Sequence, residues 1–341
     1  MPTEQLIASG QFLHLSRFDP QQFDTPVDFT LKNGTQVHIS SPGIIRFDPP
    51  STTTRSLVFS CGVHGNETAP IEICDAIAAQ LLTGKLQVKQ RVLFLFANLP
   101  AMDIAERFVE ENMNRLFSGA HSQGQGINNQ ERERAKELEL AVAQFFNDET
   151  TTHERIHYDL HTAIRASKNE KFAVYPFLHD KPRNKQQLAI LHACGVSTIL
   201  LSESPTTTFS YYSTNQFGAH GFTVELGKVQ PFGQNDMAKF QKVRDTMIRL
   251  ITELDPDFSA FNPEEMDIYR VNQVINKHFD DFKLHFADDL PNFTDFAKGQ
   301  VIASETDTTY KCEYDGEAIV FPNANVAIGQ RALLTVVPTK I

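Results

Sequence analysis

The sequence LVFSCGVHGNETAPIEICD, residues 57–75, is the stretch from which the fold can be predicted. Its apolar start, residues 57–59, is typical of a short buried strand. Apolar residues then recur at helical spacing over residues 71–82. His64 and Glu67 lie between the two elements, where a strand would end and a helix would begin. In a parallel α/β sheet this is the edge at which ligands bind.

The pair His64 and Glu67 points to a metal site, because zinc in proteins accepts imidazole nitrogen and carboxylate oxygen at roughly 2.0–2.2 Å. A histidine three residues before a glutamate is common by chance, so the pair alone does not establish a site. Two ligands also do not hold a catalytic zinc ion, which has three protein ligands and an open position. A third ligand and a general base must therefore come from elsewhere in the chain.

Composition argues against several classes of function. The chain has 341 residues and a formal net charge of −11, which argues against binding to nucleic acid or to an anionic membrane surface. No apolar run approaches the roughly 18 residues that span a bilayer, and residues 1–20 lack the basic and apolar regions of a signal peptide. The cysteines are too scattered for a disulfide framework, and three lie in apolar contexts that predict buried thiols. We therefore expect a cytoplasmic protein.

The order of predicted elements indicates an α/β fold. A polar leader precedes a hairpin, in which residues 29–31 and 35–39 flank the turn Asn33-Gly34, and residues 44–47 add a strand. From residue 57 strands alternate with helices. The predicted strands are 92–96, 156–160, 172–175, 198–201 and 222–224, and the predicted helices are 130–146, 185–193 and 235–254. This alternation predicts a doubly wound, mainly parallel (mixed) sheet with helices on both faces.

A second, smaller unit is expected after residue 255, where the alternation stops. Prolines punctuate short extended runs at 268–271, 300–303, 318–321 and 332–337. We therefore expect a catalytic domain over residues 1–255, with the β-hairpin leader at 1–50, and a smaller β-rich domain over 256–341. Residues 118–130, SGAHSQGQGINNQ, have a composition that suits either a mobile loop near a site or an ordinary surface excursion.

His161 is the candidate for the third ligand. It follows the strand predicted at 156–160, so it lies at a carboxyl strand end, as His64 does. Asp159 points to the same side of the strand, where it could accept a hydrogen bond from a ligand imidazole and fix its tautomer. The alternative is a histidine that ends a strand near solvent, and with 12 histidines in the chain any single one is a weak choice.

Glu225 is the candidate general base, because it is a lone carboxylate at the end of the strand predicted at 222–224. A charge there is costly unless it faces a cleft or a partner, and the alternative is a solvated glutamate at a strand end. Arg107, Asn114 and Arg115 follow the strand at 92–96. Arginine can bind a carboxylate through two hydrogen bonds or polarise a carbonyl. Without the metal motif, a solvated charged loop would be the preferred interpretation.

These motifs together resemble one family. HGNET with Glu67 and DLHT with His161 resemble the zinc-binding elements of carboxypeptidase-like amidohydrolases, and within these the aspartoacylase and succinylglutamate desuccinylase family. Arg107 followed by Asn114-Arg115 resembles that family's Arg…Asn-Arg element, and VELGKVQPFGQND at 224–236 resembles its catalytic segment. The resemblance runs from about residue 57 to 240 and continues into FPNANVAIGQRA at 321–332.

The resemblance implies a role for most of the candidate residues. One zinc ion per chain would have three protein ligands, namely His64, Glu67 and His161. Glu225 would act as general base and then as general acid, and Arg107 would stabilise the oxyanion. Asn114 and Arg115 would hold a substrate carboxylate.

The reaction that the resemblance implies is hydrolysis of N-succinyl-L-glutamate to succinate and L-glutamate, the last step of arginine catabolism by the succinyltransferase pathway. This small-molecule substrate carries three carboxylates, so the pocket must be basic although the protein is acidic. We add Arg165 and Lys228 as candidate contacts, because each lies just beyond a catalytic strand end. Tyr211 matches a substrate-binding tyrosine of aspartoacylases. Asn215, however, stands where those enzymes have a substrate-binding arginine, and this disfavours N-acetylaspartate.

Other functions remain open at this stage. A zinc carboxypeptidase would share the ligands and the base but would act on peptides; the missing signal peptide and the second domain argue against it. A non-catalytic binding protein on the same fold would be expected to lack a ligand or the base, and this sequence has all of them. Another N-acyl amino acid also remains open as the substrate, and the sequence leaves the oligomeric state undetermined.

Overall fold

A mixed β-sheet organises the protein. In the part of the chain that the computed structural model describes, residues 2–124, 128–149 and 153–341, thirteen strands form this main sheet and three form a small antiparallel sheet. In chain order the strands are β1 (Val27–Thr30), β2 (Gln36–Ser41), β3 (Ile44–Asp48), β4 (Arg55–Cys61), β5 (Arg91–Phe96), β6 (Glu154–Ala163), β7 (Phe172–Tyr175), β8 (Thr198–Leu201), β9 (His220–Lys228), β10 (Asp267–Asn276), β11 (Lys283–Leu284), β12 (Thr294–Phe296), β13 (Val301–Glu305), β14 (Thr308–Lys311), β15 (Glu317–Val320) and β16 (Arg331–Pro338).

The centre of the main sheet is parallel and its margins are antiparallel. The strand order is β1-β2-β3-β5-β4-β6-β9-β7-β8-β10-β16-β15-β12. The pairs β5–β4, β4–β6 and β6–β9 are parallel, as are β7–β8 and β8–β10. β7 runs antiparallel to β9, and the N-terminal and C-terminal margins are antiparallel throughout. The predicted mixed α/β sheet is therefore confirmed, but parallel pairing is confined to its central strands and does not predominate.

Helices lie on both faces of the central strands. They are α1 (Pro2–Ser9), α2 (Phe12–Phe18), α3 (Thr68–Leu82), α4 (Leu99–Asp103), α5 (Gln130–Asn147), α6 (Lys185–Ala193), α7 (Phe209–Phe217) and α8 (Gln241–Thr252). Short 3-10 turns lie at Pro20–Phe23, Met113–Arg115, Ala120–Ser122, Met237–Phe240 and Pro263–Glu265. None of the described helices combines the length and the apolar character that crossing a bilayer requires.

Around the central strands the core forms two apolar layers, one on each face of the sheet, and further apolar clusters include the C-terminal strands. Phe59 and Phe94 belong to the layer that packs against α2, α3, α6 and α8, whereas their neighbours Val58 and Leu93 belong to the layer that packs against α5 and α7. Successive side chains of a strand point to opposite faces, and a parallel strand covered on both sides needs apolar residues at every position. This explains why every residue of β5 is buried.

The parallel strands β4, β6 and β9 place the candidate residues at one edge of the sheet. In the ladder β4–β6–β9, Cys61 pairs with Leu160 and His161 pairs with Glu225. The loop that carries His64 and Glu67 follows Cys61 directly and leads into α3. The carboxyl ends of these strands therefore meet at one place, as the sequence predicted.

The segment after residue 255 is rich in strands, and most of it extends the main sheet. β10 pairs with β8 in parallel, and β16, β15 and β12 follow it outward. β11, β13 and β14 form the small separate sheet. The division into residues 1–255 and 256–341 stays a prediction, because the main sheet continues across it.

The N-terminal leader differs from its prediction. The residues predicted only as a polar leader form α1 and α2, because Leu6, Phe12 and Leu15 are buried in the core layer that contains α3. The predicted hairpin is present as β1 and β2, and β3 adds its predicted strand. The helix predicted at 235–254 is shorter, a 3-10 turn followed by α8, and α7 was not predicted at all.

The segment 118–130 borders the site described below. Residues 125–127 of this stretch lie outside the described residues. Of the rest, Ala120, Gln123 and Gly124 line the cavity that also contains His64, Glu67 and Glu225, so the structure supports the proximity to the candidate residues and not the ordinary surface excursion. All four cysteines are free and buried, as predicted for three of them.

Candidate metal centre and active site

A cavity of about 1450 Å³ lies at the carboxyl ends of β4, β6 and β9. Its lining comes from two parts of the chain. The α/β part contributes residues that include His64, Glu67, Asn114, Thr162 and Glu225, and the C-terminal strands and loops contribute residues that include Asn276, Phe321 and Arg331. The site therefore lies between the parallel strand ends and the C-terminal segment.

The loop that carries the first two ligands is held by close backbone packing. Gly65 N–H donates to the carbonyl of Arg107 at 3.1 Å. A Cβ on Gly65 would lie 2.2 Å from the carbonyl carbon of Ala101 and 2.4 Å from the amide nitrogen of Met102. The glycine of HGNET is thus required by the approach of α4, and this approach also brings Arg107 beside Glu67.

His64, Glu67 and His161 form a group that could hold a metal ion. Their candidate ligand atoms all lie within 4.8 Å of one another, and the three residues are buried. His64 Nδ1 is 2.9 Å from Glu67 Oε1, and His161 Nδ1 is 2.9 Å from Glu67 Oε2. The structure therefore brings together the three residues that the sequence separates by up to 97 positions, since 161 − 64 = 97.

Both imidazoles are oriented by acceptors on their far sides. His161 Nε2 donates to Asp159 Oδ2 at 3.0 Å, which confirms the predicted contact, and His64 Nε2 donates to Asn112 Oδ1 at 3.0 Å. A proton on Nε2 of His64 leaves its Nδ1 lone pair facing the carboxylate of Glu67, whereas His161 Nδ1 is in hydrogen-bond contact with Glu67 Oε2 at 2.9 Å. The contact between His64 Nδ1 and Glu67 is repulsive unless a positive charge lies between these atoms. His64 Nδ1 also has no aligned hydrogen-bond partner, so the donor set fits a bound cation.

Asp159 is itself fixed by a buried polar network. Ser60 Oγ donates to Asp159 Oδ1 at 2.6 Å and lies 2.8 Å from His157 Nε2. His157 Nδ1 in turn lies 2.6 Å from Ser213 Oγ. Burial, opposed by the charge of Asp159, lowers the pKa of His157 to about 4, so this imidazole is neutral. Outer partners of this kind hold a ligand histidine in one orientation and tautomer.

The carboxylate of Glu67 is ionised. Its Oε1 accepts a hydrogen bond from Arg107 Nη1 at 2.7 Å, and its Oε2 accepts one from the backbone N–H of Thr162 at 3.1 Å. Burial acts to raise the pKa of Glu67, but His64, His161 and Arg107 together hold it well below its usual range. A buried charge is stable only when it is paired in this way.

The two ligand histidines have opposite electrostatic environments. Burial and the charge of Arg107 lower the pKa of His64 to about 4. Burial also acts to lower the pKa of His161, but the carboxylates of Asp159 and Glu67 raise it well above its usual value. The carboxylates of Asp159 and Glu67 thus concentrate negative charge around His161, and a bound cation would balance this charge.

Glu225 lies beside this cluster. It pairs with His161 in the β6–β9 ladder and is 7% exposed. Its Oε2 atom is buried and has no hydrogen-bond partner. Burial raises the pKa of Glu225 to about 7; Glu67 raises it further, while His161 and Arg107 lower it. A carboxyl group with a pKa near neutrality can both take and give a proton.

A loop after α4 carries the predicted carboxylate-binding residues. Asn114 and Arg115 lie in the 3-10 turn Met113–Arg115 and line the cavity. Asn114 Oδ1 is buried without a partner. Burial and the charge of Arg107 lower the pKa of Arg115 to about 10. Glu131 holds the loop from behind, because its Oε1 accepts the backbone N–H of Val109 at 2.6 Å.

The remaining candidates lie in different places. Arg165 lines the cavity, where its guanidinium donates to the carbonyls of Leu290 at 3.2 Å and Pro322 at 3.3 Å. Tyr211 is buried, and its hydroxyl lies 2.9 Å from His179 Nε2. Lys228 is exposed at the end of β9. Neither Tyr211 nor Lys228 is among the described residues that line the cavity, so their substrate contacts stay predictions.

Several residues of the site were not predicted from the sequence. Asn112, Ser60 and His157 orient the ligand set, and Arg331 lines the cavity from the C-terminal segment. The spacing of Asn112 and Asn114 in ENMNR gives a weak indication, since both belong to one turn. The position of Arg331 has no local sequence indication, because it depends on strand pairing.

Two family models match the chain. The model of the succinylglutamate desuccinylase/aspartoacylase catalytic domain matches residues 53–251, more than half of the chain. The model of the AstE/AspA barrel-sandwich hybrid domain matches residues 264–339. The first match contains every candidate ligand and the candidate base, and the second contains Arg331.

Relatives and solved structures agree with these matches. A succinylglutamate desuccinylase of Pseudoalteromonas atlantica is 60% identical over 333 residues, which cover 97% of this chain and 95% of the relative. The succinylglutamate desuccinylase structure from Chromobacterium violaceum is 37% identical, with a TM-score of 0.86 over 98% of this chain and 99% of that chain. Murine aminoacylase 3, at 18% identity and a TM-score of 0.55 over 85% of this chain and 97% of that one, shares the fold. The chain belongs to the succinylglutamate desuccinylase/aspartoacylase family.

Proposed function

We propose that the protein is a zinc-dependent amidohydrolase that cleaves N-succinyl-L-glutamate to succinate and L-glutamate. The observation that carries the proposal is the position of Glu225. It is a buried carboxylate with an unpartnered oxygen, and it lies beside a metal-ligand set in a cavity that arginines line. Relatives that are named succinylglutamate desuccinylase, up to 60% identical over nearly the whole chain, support the choice of substrate.

Zinc is the metal that the ligand chemistry favours. Two imidazole nitrogens and one carboxylate are a donor set of catalytic zinc sites, whereas magnesium and calcium prefer oxygen ligands throughout. His64, Glu67 and His161 would hold the ion, with Asn112 and Asp159 fixing the two imidazoles. When bound, zinc would supply Lewis-acid polarisation of the amide carbonyl and of water.

Glu225 would transfer the proton during the reaction, and Arg107 would stabilise the developing negative charge. Glu225 would accept a proton from the attacking water and pass it to the amide nitrogen, so that L-glutamate leaves as an amine. The pKa of about 7 suits both steps. Arg107, which already reaches the ligand set through Glu67, would donate a hydrogen bond to the oxyanion that develops on the carbonyl.

Asn114, Arg115 and Arg165 would hold the anionic substrate. Asn114 and Arg115 line the cavity on the same turn, and Arg115 has no ion-pair partner among the described residues. Arg165 donates hydrogen bonds to two backbone carbonyls. Because a guanidinium has five N–H donors, others remain for a substrate carboxylate. Arg115 and Arg165 would thus supply positive charge for the substrate carboxylates in a protein whose net charge is −11.

The reaction would complete arginine catabolism by the succinyltransferase pathway, and we propose that it takes place in the cytoplasm. Four buried free thiols support a reducing compartment. The acidic net charge also argues against nucleic acid as a partner.

The direct test is an assay of the zinc-loaded protein with three substrates. N-succinylglutamate, N-acetylaspartate and a dipeptide are supplied at equal concentration, and the release of free amino acid is measured. We expect the highest kcat/KM for N-succinylglutamate. Release of glutamate at background level would contradict the proposal. Faster cleavage of the dipeptide or of N-acetylaspartate would replace it with a carboxypeptidase or an aspartoacylase.

A further inference from the structure

Arg331 is a charged residue of the cavity to which the proposed function assigns no role. It is the first residue of β16, and it lines the cavity together with Asn276 and Leu334. Its Nε atom is shielded from solvent without a hydrogen-bond partner. Within residues 2–124, 128–149 and 153–341, no hydrogen bond or ion pair involves its side chain. Arg331 is only half-buried, but a shielded Nε–H without an acceptor is costly, so a compensating function is expected.

A β-bulge turns Arg331 towards the cavity. In the β10–β16 ladder Val274 pairs with Leu334, but Asn276 pairs with Arg331 instead of Ala332. Val274, Leu334 and Asn276 all line the cavity. Because alternate residues of a strand share a face, a regular ladder would place Ala332 opposite Asn276. The bulge puts Arg331 there, and bulges often re-aim side chains next to functional sites.

The charge of Arg331 belongs to the same electrostatic group as the catalytic centre. Burial lowers the pKa of Arg331 to about 9, the positive charge of Arg115 lowers it further, and the negative charge of Glu225 raises it. Its guanidinium carbon lies 5.4 Å from the ring centroid of Phe321, which restricts the side chain. Two guanidiniums from distant parts of the chain therefore repel each other close to the candidate base.

Other arginines of the cavity have partners within the protein. Arg107 pairs with Glu67 at 2.7 Å, and Arg132 pairs with Glu111 at 2.6 Å. Arg331 has no such partner among the described residues. An anion from outside the protein would supply the missing counter-charge, and a carboxylate fits a guanidinium through two parallel hydrogen bonds.

We propose that Arg331, acting with Arg115, binds a carboxylate of the substrate. A residue of the C-terminal segment thereby contributes to the preference for N-acyl amino acids that carry several carboxylates. The identity of the ligand rests on the proposed function. The need for an anion rests on the geometry alone.

The test compares wild type with Arg331→Gln on four substrates. These are N-succinylglutamate and three analogues that each lack one of its carboxylates: N-butyrylglutamate, N-succinylglutamine and N-succinyl-4-aminobutyrate. We expect the substitution to lower kcat/KM for N-succinylglutamate by roughly 10- to 100-fold, the range for one charge-assisted hydrogen bond. For the analogue that lacks the carboxylate bound by Arg331, the loss should vanish, and that analogue identifies the carboxylate.

Two further variants act as controls. Arg331→Lys keeps the charge but loses the fork, so an intermediate loss is expected. Arg270→Gln removes an arginine from β10 that does not line the cavity, and it should leave kcat/KM unchanged. An equal loss on all four substrates, or no loss on N-succinylglutamate, would overturn the inference.

Thermal unfolding separates substrate binding from a structural role, and it needs no turnover. The unliganded Arg331→Gln protein should melt at or above the temperature of wild type, because an unpaired charge has been removed. A structural role would lower the melting temperature. Succinate or L-glutamate should stabilise wild type more than the variant. If wild type does not cleave N-succinylglutamate, the proposed function fails, and this ligand-induced shift still decides the role of Arg331; equal shifts in both proteins would refute it.

Discussion

At the scale of single residues, the candidate base and the candidate ligands should respond differently to substitution. Glu225→Gln removes the carboxylate that moves the proton but leaves His64, Glu67 and His161 in place. We expect kcat to fall by about 10²- to 10⁴-fold, the range for general acid–base catalysis, while the zinc content stays at wild-type level. His64→Ala should lose the metal as well as the activity. Metal analysis and steady-state kinetics of both variants provide the check; an active Glu225→Gln enzyme would refute the assignment of the base.

Asp159 should control the affinity of the metal without touching it. Its Oδ2 atom accepts the hydrogen bond from His161 Nε2 at 3.0 Å. Asp159→Asn weakens this acceptor, and loss of such an outer partner typically costs about 10- to 100-fold in metal affinity. Competition with a chelator measures the effect. Asp267→Asn, on an exposed position of β10, is the matched control and should bind zinc like wild type; equal affinities of the two variants would contradict the role of Asp159.

At this scale, site residues were predictable where a chemically suitable residue type coincides with a strand end. His64, Glu67, His161 and Glu225 each follow an apolar run, so their meeting could be predicted from parallel strands alone. Asn112 and Arg331 could not be found this way. Their positions depend on the fold of a long loop and on one irregularity of strand pairing; the local sequence indicates Asn112 only weakly and Arg331 not at all.

At the scale of elements, the packing of α3 against α2 should make stability depend on pH. Burial raises the pKa of Asp75 on α3 from its ordinary 3.8 to about 6, although the backbone of Leu13 and the charges of Arg17 and His14 act in the other direction. The folded state therefore binds the proton of Asp75 more tightly than the unfolded state does. The contribution of Asp75 to the free energy of unfolding is therefore fully present below pH 3.8 and is lost as the pH rises through about 6.

Asn at position 75 does not ionise. The stability of the Asp75→Asn variant relative to wild type should therefore increase as the pH rises from 4 to 7. The gain is at most about 3 kcal/mol at ~1.4 kcal/mol per pKa unit, and partial exposure of Asp75 reduces it. Urea unfolding of both proteins at the two pH values measures the difference. A gain that is the same at pH 4 and at pH 7 would mean that Asp75 does not titrate in this way.

Elements with strong periodic patterns were predictable, and those made by packing were not. The sequence of α7, FSYYSTNQF, consists of aromatic, hydroxyl and amide side chains, and all of them except Gln216 are weak helix formers. Phe209 and Tyr212 nevertheless bury this helix against the core layer of α5. The short helices α1 and α2 are similar cases, because their apolar residues gain stability only once α3 is present to cover them.

At the scale of the whole molecule, the two family domains should unfold together. β8 and β10 are neighbours in one sheet, and Phe172, Leu200 and Val336 belong to one apolar cluster that spans residue 255. We expect a single calorimetric transition for the intact protein. The fragment 1–255 would leave the apolar strand β8 with an open edge, and such edges aggregate. Calorimetry and size-exclusion chromatography test this; a soluble, folded fragment would instead support two independent domains.

The joining of the C-terminal strands to β8 was beyond prediction from the sequence. The end of the strand–helix alternation near residue 255 correctly indicated a β-rich segment, but pairing between strands so far apart in the chain is decided by the packing of their faces. Local patterns report which residues are apolar, and many strand orders satisfy the same pattern.

The bulge at the start of β16 has an evolutionary consequence. A bulge is an insertion of one residue into one strand, and here it decides whether Arg331 or Ala332 stands opposite Asn276. Gain or loss of a single codon near this point would exchange an arginine for a methyl group in the cavity. The hydrolytic residues, which all precede residue 226, would remain unchanged. Insertions and deletions, and not only substitutions, are therefore a route by which such an enzyme can acquire a new substrate specificity.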